Sequence, residues 1–116
     1  MRMKRLSLTT AILSIVLLCG SRMPAGNRQV MIAGYIGDSM CGLRHGKSGN
    51  SDAEERECTL QCVSGGSKFI LADRTNRKVY ELQDQIAPRR FAGKKVRVTG
   101  EIDGQSVRVE TIEQAE

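Results

Sequence analysis

Residues 94–112, KKVRVTGEIDGQSVRVETI, set two apolar-alternating runs on either side of Asp103-Gly104, a dipeptide favoured in two-residue hairpin turns. The turn predicts a hairpin in which facing residue numbers sum to 207. Val98 then faces Val109 and Gly100 faces Val107 on the core side, while Arg97 faces Glu110 on the solvent side. A one-residue slip would bury Arg97 and Arg108, so the alternation also says which face is inside.

Outward from this hairpin, Lys68–Ala72 and Lys78–Leu82 are strand-length apolar runs separated by a turn at residues 73–77, and predict a second hairpin. Residues 83–93 carry Pro88 and leave room for one helical turn, with Ile86 and Phe91 expected to plug the end of the core. Arg28–Asp38 reads as the first strand, with Val30, Ile32, Gly34 and Ile36 on one side and Tyr35 on the other. Ser51 and Asp52 each stand three residues before a glutamate, Glu54 and Glu55, which is the pattern of a capping box. A helix from about Ala53 to Val63 follows, stopped by Gly65-Gly66.

The fold class is therefore mainly β: a small five-stranded OB-like barrel with a short helix inserted between strands 1 and 2. One domain over residues 28–114 is expected, with an insertion at 38–66. The usual OB helix follows the third strand, so this one is displaced.

Residues 1–25 have the build of a secretory signal peptide: Arg2, Lys4 and Arg5, then an apolar run from Leu6 to Cys19, with a cut expected near 21–26. The run is shorter than the roughly 18 residues of a spanning helix, so no stable membrane span is expected once the signal is cleaved. An exported protein, periplasmic or secreted, is the expectation. A lipoprotein anchored at Cys19 is disfavoured because Leu18 occupies a position where such signals carry a small residue.

Of 18 basic and 13 acidic residues, Arg2, Lys4, Arg5 and Arg22 belong to the leader, which leaves 14 against 13. That balance removes the long-range electrostatic case for nucleic acid or an anionic membrane. Nucleic acid is also disfavoured by the aromatic set, which is Tyr35, Phe69, Tyr80 and Phe91 without tryptophan. The basic clusters at Arg89-Arg90 and Lys94-Lys95-Arg97 read as solvated surface. An unidentified protein or envelope ligand remains as partner.

Site chemistry is concentrated in residues 41–62, CGLRHGKSGNSDAEERECTLQC, which hold the only histidine and three of four cysteines. Cys41-x3-His45 is separated by twelve residues from Cys58-x3-Cys62. One helical turn puts Cys58 and Cys62 on one face, with parallel Cβ directions that disfavour a disulfide between them. Glycines 42, 46 and 49 make the first half a loop.

Gly34-x-Ile36-x-Asp38-x-x-Cys41-Gly42, His45, Cys58-x3-Cys62-Val63-x-x-Gly66 and Ala92-Gly93-Lys94-x-Val96-x-Val98-x-Gly100 together resemble a family of small exported bacterial proteins of unknown function. The resemblance covers nearly all of the chain beyond the leader. It implies export, an OB-like barrel and the association of three cysteines with a histidine, and implies no activity.

The residues themselves leave several chemistries open. Cys41, His45, Cys58 and Cys62 form a complete ligand shell for zinc by number and type, and suit copper(I) by softness. A disulfide from Cys41 to Cys58 or Cys62, stapling an envelope interaction domain without metal, accounts for the same cysteines. Thiol redox chemistry is weaker, since Cys-x3-Cys is not the redox Cys-x2-Cys spacing. A Cys-His hydrolase has only Asp38 as orienting group and no recognisable oxyanion site, so no catalytic residue is assigned and a non-enzymatic module is expected.

Overall fold

The computed structural model describes residues 28–44 and 50–116. The signal peptide expected at residues 1–25 and the metal ligand expected at His45 lie outside the described residues.

The long strand β1 (Arg28–Asp38) alternates inward residues at Ile32, Gly34 and Ile36 and then runs fully buried through Asp38. A 3-10 turn at Gly42–Arg44 leads toward helix α1 (Asp52–Ser64). Strands β2 (Phe69–Asp73) and β3 (Lys78–Leu82) form the expected antiparallel hairpin. A second 3-10 turn (Ala87–Phe91) precedes β4 (Lys95–Asp103) and β5 (Ser106–Gln114).

The five strands close into a barrel in the order β1-β2-β3-β5-β4. β1 serves two neighbours: Arg28 to Tyr35 pair with β4, and Tyr35 to Asp38 pair with β2. A short parallel contact, Glu81↔Ser106 and Leu82↔Val107, seals β3 to β5. The mainly β, five-stranded OB-like barrel with its helix between strands 1 and 2 is the architecture expected from the alternation. Ile32, Ile36, Phe69, Leu71, Leu82, Ala92, Val96, Val98 and Val107 fill its interior.

The register of the last hairpin differs from the prediction. Asp103 pairs with Ser106, so the two central turn residues are Gly104 and Gln105, and Gly100 faces Val109 rather than Val107. Gly104 has φ +61° and holds the first central position, the one that type II′ hairpins reserve for glycine. A second shift falls at Thr99/Gly100, beyond which Val98 faces Ile112 and Arg97 faces Glu113, not Val109 and Glu110. Glu110 is the extra residue of this bulge. The apolar positions of β5 pass from odd (Val107, Val109) to even (Ile112), and one added residue is what lets all three pack against the core. Gly100 makes the close approach possible, since a Cβ there would lie 2.2 Å from the Arg108 carbonyl oxygen.

Ile86 does not plug the core: it is 86% exposed, whereas Phe91 does pack against the buried cluster. The Asp84 carboxylate accepts hydrogen bonds from the backbone N–H of Ile86 and Ala87, which starts the 3-10 turn and sends the buried Pro88 inward in its place. Gln85 closes the same end, accepting from Phe69 N at 2.7 Å and donating to the carbonyls of Phe69 and Leu82.

Candidate metal centre

The site is built from the end of β1 and the inner face of α1. β1 ends at Asp38, fully buried, whose Oδ1 accepts from the backbone N–H of Met40 and of Cys41, both at 3.0 Å. This Asx turn swings the chain off the strand and aims Cys41. Ser39 ties the same strap to the start of β2, through Ser39 N to Lys68 O at 2.9 Å and Lys68 N to Ser39 Oγ at 3.1 Å. Gly42, at φ +54°, then tightens the chain into the 3-10 turn, where Arg44 N donates to Cys41 O at 3.1 Å.

Helix α1 begins with the expected capping box: Glu54 N donates to Ser51 Oγ, and Ser51 N donates to Glu54 Oε2 at 2.7 Å. Donation from the Ser51 N–H, and then from the Ser51 hydroxyl, to Glu54 Oε2 holds the Glu54 carboxyl below its usual range. At the far end Ser67 N donates to Cys62 O, which fixes the turn carrying Cys62. The helix is seated by Gly93, at φ +75°, where a Cβ would lie 2.3 Å from Arg56 N. The burial of Glu55 and Thr59, with Leu60 and Val63 packed on the core, sets its rotation.

That rotation brings Cys58 and Cys62 to the strap. The ligand atoms of Cys41, Cys58 and Cys62 all lie within 4.8 Å of one another, and this three-thiol group could hold a metal ion. All three cysteines are free, with Cys41 and Cys62 half-buried and Cys58 exposed. Two thiolates bound to one zinc at about 2.3 Å are about 3.8 Å apart in a tetrahedron, so a small contraction brings the group to ligating geometry.

Burial, and then the negative charge of Asp38 and the neighbouring thiols, pushes Cys41 up to about 11. Cys62 is pushed up for the same reasons, and its thiol is in hydrogen-bond contact with Asp38. Thiols held protonated in this way are the opposite of activated nucleophiles. Asp38 thus shapes the strap that carries Cys41 and touches Cys62, a place the sequence presents only as an orienting group. An aspartate at a strand end, three residues before a cysteine, was the available signal of the Asx turn.

A separate open groove of about 590 Å³ runs between the β2–β3 hairpin and the tip of the β4–β5 hairpin, lined by Lys68, Ile70, Lys78, Tyr80, Glu81 and Ile102 among others. Ser39 reaches its edge, so groove and thiol cluster share the strap after β1.

Fold and site together define a small OB-like barrel that carries a three-thiol insertion. Residues 63–115 match a family described as a protein of unknown function (DUF5818). The match takes in β2 through β5 and begins one residue after Cys62, so Cys41, Cys58 and Cys62 lie outside it. No curated protein and no solved structure matches the chain.

Proposed function

We propose that this chain is an exported, non-enzymatic OB-like module that holds zinc or copper on Cys41, Cys58 and Cys62, with His45 as the fourth ligand. The observation that carries the reading is the approach of three sulfurs from two separate elements to within 4.8 Å. With four protein ligands, zinc would have no open position for substrate, which suits a structural or carrier role rather than hydrolysis. The Cys58-x3-Cys62 spacing, which is not the redox Cys-x2-Cys, argues against redox exchange. Export rests on the basic start and apolar run of residues 1–19.

Native mass spectrometry of the chain purified without chelator, followed by thiol counting, tests it. One metal ion and three reduced thiols among Cys41, Cys58 and Cys62 is the expected result. A metal-free species two hydrogens lighter, with one of the three thiols left, contradicts it and favours the disulfide-stapled domain.

The second reading, an interaction module for an envelope ligand, is favoured by the groove between the two hairpins. Substituting the exposed Lys68 and Lys78 there would abolish ligand capture while leaving metal content unchanged.

A further inference from the structure

Ile86, Arg89 and Arg90 lie on the connection between β3 and β4, and together with Arg56 of α1 they line an open hollow of about 750 Å³. A lone exposed isoleucine is ordinary on a protein surface. Here, however, the isoleucine shares its hollow with three arginines, with Asp84 as the one carboxylate in the lining. Its Oδ1 already accepts from two backbone N–H groups.

The arginines are held in place. Arg90 lies over the Phe91 ring, 4.8 Å from its centroid, and Arg89 lies over Phe69 at 5.7 Å. Arg56 Nη1 donates to the carbonyl oxygens of Arg89 and Arg90 at 3.3 and 3.4 Å, which joins helix and 3-10 turn into one surface. Stacked guanidinium planes lose little freedom on binding phosphate oxygens and can grip them with two parallel N–H donors.

We propose that Ile86, Arg56, Arg89 and Arg90 form a peripheral docking site for an anionic lipid bilayer. The guanidiniums would bind headgroup phosphates, and Ile86 would enter the interface between headgroups and acyl chains. The near-balance of charge over the chain does not oppose this, because a surface within a Debye length of the bilayer responds to its own local charge. Single-stranded nucleic acid fits less well: the two rings at this surface are covered by Arg89 and Arg90, leaving no platform for bases. A free phosphate ion would make no use of the protruding isoleucine, whereas a bilayer uses both the apolar tip and the basic rim. The proposal is independent of the metal centre.

Co-sedimentation with vesicles tests it, with every variant carrying the same N-terminus so that residues 1–27 contribute equally. The purified chain should bind vesicles containing phosphatidylglycerol in preference to pure phosphatidylcholine, and binding should fall as salt rises. Arg89→Glu with Arg90→Glu should weaken binding about tenfold or more. Ile86→Ser, at a site too exposed to disturb folding, should weaken it about threefold and leave the salt dependence intact. Equal binding by the wild type and both variants overturns the proposal, as does equal binding to the two vesicle types. Displacement by millimolar inorganic phosphate without any vesicle preference would instead assign the surface to a free anion and equally overturns it.

Discussion

The three thiols are supplied by two regions held in place by different physics. Cys58 and Cys62 need only a helix: one turn of α1 sets them on one face, and a capping box with a glycine-rich stop forms that helix from local sequence. Cys41 depends on tertiary structure, because its direction is set by the Asx turn of buried Asp38, and Asp38 is buried only because β1 has paired with β2. The helical pair is thus present wherever α1 is, whereas the third thiol joins it only once the barrel has closed. A metal held by all three would report on completion of the fold.

The strongest way to break this arrangement is to remove the barrel. Phe69→Ala empties a core position that is 1% exposed and should cost about 3–5 kcal/mol, measured by urea unfolding, with loss of stoichiometric metal because Cys41 is no longer placed. Next in size is Asp38→Ala, which leaves the backbone N–H groups of Met40 and Cys41 without their acceptor. It should cost about 2 kcal/mol and lower metal affinity about 10–100-fold in competition with a chelator. Asp38→Asn retains an acceptor for both N–H groups and should recover most of the stability.

Ser51→Ala attacks the local half instead. It removes the cap of α1 for about 1 kcal/mol, and its effect on the metal should be smaller than that of Asp38→Ala. An equal or larger effect would show that the helix, and not the strap, limits assembly.

The smallest effect should be seen in pH titration of the metal-free protein. Folded Cys41 holds its proton up to about 11, above the ordinary thiol range, so the folded state retains a proton that the unfolded chain has already lost. Its contribution to stability is complete below the ordinary thiol range and disappears as pH rises toward about 11. Denaturant midpoints should therefore fall modestly across that window, and Cys41→Ser should flatten the fall.

The same contrast explains what could be read from sequence. β1 and β3 begin and end where their alternation says, and α1 extends the expected span by one residue at each end, because these features are encoded over a few neighbouring residues. The final hairpin was visible, but its register was not. Asp103-Gly104 suggested glycine at the second turn position, and only closure of β5 onto both β4 and β3 selects Gly104-Gln105 with a bulge at Glu110. Ile86 misled for a related reason: its hydrophobicity argued for burial, while the Asp84 cap and Pro88 turn it outward. At the site, the pairing of Cys58 with Cys62 was a matter of helical period. The approach of Cys41 required the fold, and the buried role of Asp38 was hidden because burial of a carboxylate follows from packing rather than from residue type.

X-ray absorption spectroscopy of the metal-loaded protein tests the central claim most directly. For zinc, the account predicts a first shell of three sulfurs at about 2.3 Å and one nitrogen at about 2.0 Å, with one sulfur lost in Cys41→Ser. A shell of oxygen and nitrogen alone, or a spectrum unchanged by Cys41→Ser, would contradict it.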